Sequence, residues 1–476
     1  MLCVAKVRPG GHAYYLEVVD TGVEAPGEWM STGADLLELR GTVIADDLEA
    51  VLAGADPSSG KRLGRSHDRV KVAGFDLTFC APKSVSLLHA LGASDVAAEV
   101  RSGHCQAVGE ALSYVERRAL AVRRGTGSER SLLPVDGVAA GGFVHRTSRA
   151  LDPHLHSHVI VANLGRAPDD TWSALDERGV YAHAPAAGAL YHTQLRHELT
   201  RRLGVGWEPP KKGRADIAGI GPEVRRVFSR RAAAIEAHLV ERGIVNERWS
   251  TSRSDRGGRA GSPQTGLGDP GGPPRLGAGP RGPSSRARTV AAFATRAPRD
   301  PNLAPETLRG WWEERAREAG LSPRLLEATL DRVPRQIGRV EERGVDQTGA
   351  DHEGSSAKGL ERAVDGMLGE LGRSITRRDA LRAWCSVLEK GAPVREVERA
   401  VDQYLSTLEP VEGWAGVRDG TGVGERRHVI EEHVIEREQL SERRHMGRLL
   451  AARGMSRAEE DRSLGRGHEA GLDFDL

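Results

Sequence analysis

The chain has 476 residues, with 68 Lys+Arg against 67 Asp+Glu and a formal net charge of +1. That length exceeds one ordinary hydrophobic core, so two or more domains joined by linkers are expected. The balanced charge excludes a chain-wide attraction to nucleic acid or membrane, although the distribution is uneven: residues 1–50 hold 3 basic against 9 acidic side chains, and residues 201–250 hold 11 against 6. Cys3, Cys80, Cys105 and Cys385 are scattered without a CxxC pair, which reads as reduced thiols. The N-terminus MLCVAKVRPGGHAYY has no apolar signal core, and no run approaches the roughly 18 apolar residues of a membrane span. A soluble, cytoplasmic protein is the expectation.

In chain order, Met1–Val7 is a short apolar strand candidate, and Val70–Phe79 has the β-branched and aromatic character of another. Ser84–Leu91 begins a helix just after Pro82. Asp95–Arg124 is predicted helical from the apolar spacing of Val96, Val100, Val108, Leu112 and Val115. Leu155–Asn163 reads as a strand, and Leu190–Leu203 and Glu223–Arg242 as helices. Together residues 1–250 form one α+β domain. Residues 251–292 are rich in Gly, Pro, Ser and Arg and cannot bury enough apolar surface to offset their ordering entropy, so a disordered segment is expected. A helical segment at 293–343, a polar linker at 344–358, a small helical module at 359–412 and a charged tail at 413–476 complete the division.

Phe143–Asn163 reads FVHRTSRALDPHLHSHVIVAN. His156 and His158 are two apart, so on a strand both side chains leave the same face. His145 lies eleven residues before His156, and a hairpin through the turn signal Asp152-Pro153 would bring it alongside. Three neutral imidazoles suit Zn, Mn or a related divalent ion and leave coordination positions open. On spacing alone, packing is the commoner reason for a His-x-His pair. Pro153 is expected to keep His154 in the turn, solvated or behind the ligands. The basic stretch holding Arg201, Arg202, Lys211, Lys212, Arg214, Arg225, Arg226, Arg230 and Arg231 is compatible with phosphate-backbone contact, although for any one of these residues a solvated helix face is the commoner reason.

Further patches point the same way. Gly74–Ser86 reads GFDLTFCAPKSVS, Tyr14-Tyr15 form a pair near the start, and YVERRALAVRRG (Tyr114–Gly125) and FSRRAAAIEA (Phe228–Ala237) follow. In this order, with DPHLHSHVIVAN, they resemble the conjugative relaxases of the TrwC/TraI type (MobF class), which are histidine-hydrophobe-histidine (HUH) endonucleases. The resemblance covers about residues 1–245. It implies an α+β fold of the permuted palm-like HUH kind: a central antiparallel sheet with the histidine strand in its middle, helices packed on one face, and a mostly helical C-terminal region with disordered linkers. The family's metal-binding histidines fall on His145, His156 and His158, and a divalent ion (Mg, Mn or Zn) is the implied cofactor. The nucleophile falls on Tyr14 with Tyr15 beside it, and the acidic residue that orients or deprotonates it falls on Asp76.

The implied activity is nicking and resealing of one DNA strand at a plasmid or integrative-element transfer origin, through a 5′-phosphotyrosine. The implied partners are single-stranded origin DNA, a separate helicase and a coupling protein. No Walker A signature is present: Gly54–Gly64 (GADPSSGKRLG) puts five residues between its glycines and Arg62 after Lys61. The second tyrosine pair of many relatives is missing from Leu16–Trp29. Lys83 is left as a phosphate contact or a solvated turn lysine. Two alternatives stay open: a rolling-circle replication initiator, in which the tyrosine follows the histidines, and a catalytically decayed single-stranded-DNA-binding remnant, which the 251–292 block would suit.

Overall fold

The computed structural model describes residues 2–11, 15, 26–64, 71–124, 131–245, 283, 285–295, 305–330, 350–371, 375–410 and 428–429. Its centre is an antiparallel sheet of β1 (Leu2–Val7), β2 (Glu28–Met30), β3 (Gly74–Cys80), β6 (Gly137–Thr147) and β7 (Pro153–Arg166), in the order β1-β3-β7-β6-β2. A short β8 (Trp172–Ser173) pairs with the far end of β7. The histidine strand is therefore central, as expected. Pro153 opens it, where its missing N–H removes no ladder bond.

Residue alternation divides the sheet into two chemically different faces. Leu155, Val159 and Val161 of β7, with Phe75, Leu77 and Phe79 of β3, pack beneath three helices, α3 (Lys83–Leu91), α4 (Ser94–Arg118) and α5 (Glu177–Leu203). Ile160, Ala162 and Leu164 point to the opposite face, where Tyr15, Phe143 and two short helices, α1 (Thr32–Leu36) and α2 (Ala45–Leu52), form a second cluster. The period of two thus buries the odd-numbered residues of β7 under long helices and sends its even-numbered residues, His156 and His158 among them, to the other side.

Several boundaries differ from the sequence reading. α4 ends at Arg118, and Ala121–Arg124, expected as its last turns, is strand β4, paired with β5 (Ser131–Pro134). Leu120, Ala121 and Val122 are all buried, and a wholly apolar stretch carries no period by which to tell strand from helix. α5 begins at Glu177, well before Leu190, because the Asp176 side chain caps the N–H of Arg178. Pro185 inside α5 and Gly179 near its start conceal that beginning from a propensity reading. Gly179 is required by proximity: a Cβ there would lie 2.0 Å from the Ala119 carbonyl oxygen. The stretch expected as one helix from Glu223 splits into α6 (Pro222–Val227) and α7 (Arg230–Glu241) around the buried Phe228.

Toward the C-terminus come α8 (Ser285–Ala294), α9 (Pro305–Glu318), α10 (Pro323–Glu327), α11 (Ala350–Gly369), α12 (Arg377–Val387) and α13 (Val394–Ser406). α8 and α11 start inside stretches expected as disordered segment and linker. Residues 251–282, 331–349 and 430–476 lie outside the described residues. The last helices pack on α5 around Arg196, a side chain 1% exposed. Its guanidinium donates to the carbonyl oxygens of Gly213 (2.8 Å), Cys385 (2.8 Å) and Leu388 (3.0 Å). Each such bond supplies an acceptor to a charge that would otherwise be buried unpaired. Replacing it by Arg196→Leu strands three carbonyls, and a loss on the order of 3 kcal/mol in urea unfolding is expected. A loss below about 1 kcal/mol would show that water reaches this contact.

Candidate active site

The site lies at one level of the central sheet. In the ladder, His145 of β6 stands opposite His156, while Thr78 of β3 and Phe143 of β6 flank His158. The three imidazoles meet edge to face, with ring centroids 5.1 to 5.3 Å apart. Each offers one nitrogen, and those nitrogens all lie within 4.8 Å of one another. His145 is 1% and His156 8% exposed. The hairpin inferred from Asp152-Pro153 is what brings His145 alongside, and its turn is held by the Ser148 N–H to Asp152 carbonyl bond of 2.9 Å.

Two hydrogen bonds fix ring orientation and tautomer. His156 Nδ1 donates to the His154 carbonyl oxygen at 2.8 Å. His158 Nδ1 donates to Asp76 Oδ2 at 2.8 Å and reaches Oδ1 at 3.0 Å. A neutral imidazole that donates from Nδ1 carries its lone pair on Nε2, the state a metal ligand needs. These residues fit a divalent ion: three imidazole nitrogens gathered closely enough to share one, the donor type and number of an open site.

Asp76 gathers the rest. Besides His158 it accepts the Tyr15 hydroxyl at Oδ2 (2.8 Å) and the Thr78 hydroxyl at Oδ1 (3.1 Å). The carboxylate is 7% exposed, so these donors replace the water it has lost. Tyr15 is itself buried, and its ring lies 5.3 Å from that of His158. The structure thus brings His145, His156, His158, Asp76 and Tyr15 into one cluster. Tyr14 lies outside the described residues. Thr78 was not foreseen; its place two residues after Asp76 on the same strand face is the signal that could have found it.

Other expectations change. His154 is in the strand, not the turn, and its ring stacks on His156 at 4.6 Å. Burial holds it well below the ordinary imidazole range. The Lys83 ammonium donates to the Pro153 carbonyl at 2.6 Å, so it anchors the start of β7, and burial lowers it to about 8. Most of the basic stretch is engaged in ion pairs: Arg201 and Arg202 with Glu198, Arg202 also with Glu99, Arg225 with Glu208, Arg226 with Glu223, and Arg230 with the buried Asp152.

A match to the TrwC relaxase family model spans residues 4–319. The chain belongs to that family. Two multifunctional conjugation proteins TraI of Escherichia coli, one from strain K12, are similar to this TrwC-family chain, at 31% and 32% identity over 266 residues. Each match takes in 52% of this chain and only 14% of the TraI protein. Among solved structures, the conjugative relaxase TrwC in complex with oriT DNA, metal-free, is similar with a TM-score of 0.54 and 27% identity, over 68% of this chain and 100% of that one. Its copper-bound counterpart gives 0.55 and 27%, over 68% and 99%. Among the described residues of this family member, no helix is long and apolar enough to cross a membrane.

Acid stability follows from the buried imidazoles. Burial first, with neighbouring positive charge second, lowers His104 to about 3 and His89 to about 4, and His154 and His192 also fall well below 6.5. The unfolded chain takes up these protons near pH 6.5 while the native chain resists them. Their contribution is complete above that pH and is lost as pH falls toward 4 and 3. Glu116, raised by burial to about 7, opposes them by one proton between 7 and 4.5. The net expectation is an unfolding free energy, read from urea denaturation, that falls from pH 6.5 to 5 by more than about 1.4 kcal/mol per pH unit, with the urea midpoint falling alongside. A midpoint flat or rising over that range would contradict the buried, neutral assignment.

Proposed function

We propose that this chain nicks one strand of DNA at a plasmid or integrative-element transfer origin, forming a 5′-phosphotyrosine, and can reseal it. The observation that carries this reading is one cluster of three imidazoles, a carboxylate and a tyrosine in a TrwC-family fold. His145, His156 and His158 would hold a divalent ion of the Mg, Mn or Zn kind. Such an ion supplies positive charge to a non-bridging oxygen of the scissile phosphate as charge builds at phosphorus.

The remaining work falls to the chain's own groups. A tyrosine hydroxyl near pKa 10 needs a base to attack at neutral pH. We assign the nucleophile to Tyr14, whose oxygen forms the new bond to phosphorus while the bond to the 3′-oxygen breaks. Asp76 accepts or relays the Tyr14 proton, and the departing 3′-oxygen is protonated as the free hydroxyl. Tyr15 has a different part: its buried hydroxyl is spent on Asp76, so it orients the carboxylate rather than attacking. Attack of a 3′-hydroxyl on the phosphotyrosine reverses the step, since the new ester conserves the energy of the old one.

The tyrosine pair precedes the histidines, which favours a relaxase over a rolling-circle initiator. Strand unwinding falls to a helicase activity outside these residues, which carry no Walker A signature, and export to a coupling protein. The catalytic residues all fall within residues 1–250, the proposed nuclease domain, and a DNA substrate of this kind puts the reaction in the cytoplasm.

A labelled single-stranded origin oligonucleotide incubated with Mg or Mn should give a covalent adduct that chelation with EDTA prevents. Tyr14→Phe should abolish the adduct. Asp76→Asn should slow it by roughly 10²-fold or more, and Tyr15→Phe should slow it without abolishing it. Adduct formation undiminished in Tyr14→Phe sinks the nucleophile assignment, and DNA binding without adduct under any divalent metal favours the decayed remnant.

A further inference from the structure

Directly behind the histidine cluster, a chain of polar side chains runs through the apolar core. Ser157, between His156 and His158 on β7, points to the helix-covered face and is 2% exposed. Its hydroxyl lies 2.7 Å from Nε2 of His104 on α4, and Nδ1 of the same ring lies 2.8 Å from the Tyr191 hydroxyl on α5. His104 and Tyr191 are fully buried and meet edge to face at 5.6 Å. Tyr191 packs in turn on Phe79, the β3 partner of Ser157.

Nothing about packing calls for this chain. A Val or Ala at 157 would suit a strand face covered by Leu155, Val159, Val100 and Val108, all in the same apolar cluster. Buried polar groups are tolerated only when paired. A neutral imidazole pairs two ways at once, donating from one nitrogen and accepting at the other. Burial keeps His104 neutral and Tyr191 protonated, so the chain is satisfied in either direction. What it adds is direction. Apolar contacts fix which face of β7 is buried but leave the strand free to shift or roll slightly, whereas a hydrogen bond defines a distance and an angle. The bond acts on the one residue that stands between two of the three histidines.

The geometry points to His104 as a positioning residue for the metal cluster: through Ser157 it pins the pitch of β7, so that His156 and His158 keep the spacing a divalent ion requires. This rests on the metal reading of the three histidines. His104 touches neither metal nor DNA, so its effect should appear first in metal affinity. Partners behind ligands commonly matter by about 10- to 100-fold.

The test is titration calorimetry of the metal-free chain with Mn(II), beside its melting temperature without metal, for wild type, His104→Phe, His104→Gln and Ser157→Ala. His104→Phe and Ser157→Ala should each weaken Mn(II) binding by roughly 10-fold, and His104→Gln, which can still bond both neighbours, should recover most of it. If His104→Phe does not fold, Ser157→Ala against His104→Gln decides. Lowered melting temperatures with unchanged Mn(II) affinity would mean a packing role only and overturn the inference. A wild-type chain that takes up no Mn(II) fails the metal reading itself, and this inference with it.

Discussion

The Asp76 carboxylate is the junction on which the site depends. It accepts from Tyr15, Thr78 and His158, and so ties the N-terminal tyrosine segment, its own strand and the central histidine strand to one point. A carboxylate this deeply buried is stable only if each lost water is replaced by a donor, and the two oxygens here share three. The constraint works in both directions. The donors satisfy the carboxylate oxygens, and the carboxylate fixes the tautomer of His158 and the direction of the Tyr15 hydroxyl.

Everything else follows from where the sheet puts that point. The antiparallel register sets Asp76 opposite Ile160, diagonally beside His158, and sets His145 opposite His156. Strand alternation then sends ligands and carboxylate to one face and Phe75, Leu77 and Phe79 to the helix-covered core. The core face is where rigidity comes from: α4 and α5 bury it, Lys83 and Asp152 hold the start of β7 through Pro153 and Arg230, and His104 bonds Ser157 from behind. A phosphate-handling site gains from such support, because displaced ligands lose affinity out of proportion to the distance moved.

The sequence showed the site better than the surrounding fold. His156 and His158 were legible because a period of two leaves no doubt about their common face, and Asp76 only through the family resemblance of the segment that holds it. Partners distant in sequence were not legible: Ser157 lies 53 residues from His104, and Arg202 lies 103 residues from Glu99. No local pattern announces such pairs, so the basic stretch read as free charge when most of it is paired. The first half of α5 was hidden by Pro185 and Gly179, both poor helix formers, and Ala121–Arg124 was absorbed into α4 because the buried apolar run Ala119–Val122 that leads into it carries no period of its own.

The central claim is that the imidazoles of His145, His156 and His158 bind one divalent ion together. Pulsed electron paramagnetic resonance of the Mn(II)-loaded chain, labelled with ¹⁵N only at histidine, tests it directly. Couplings from three directly bonded histidine nitrogens are expected, reduced to two in each single His→Ala variant at these positions. A Mn(II) spectrum with no histidine nitrogen coupling, or one unchanged by all three substitutions, would contradict it.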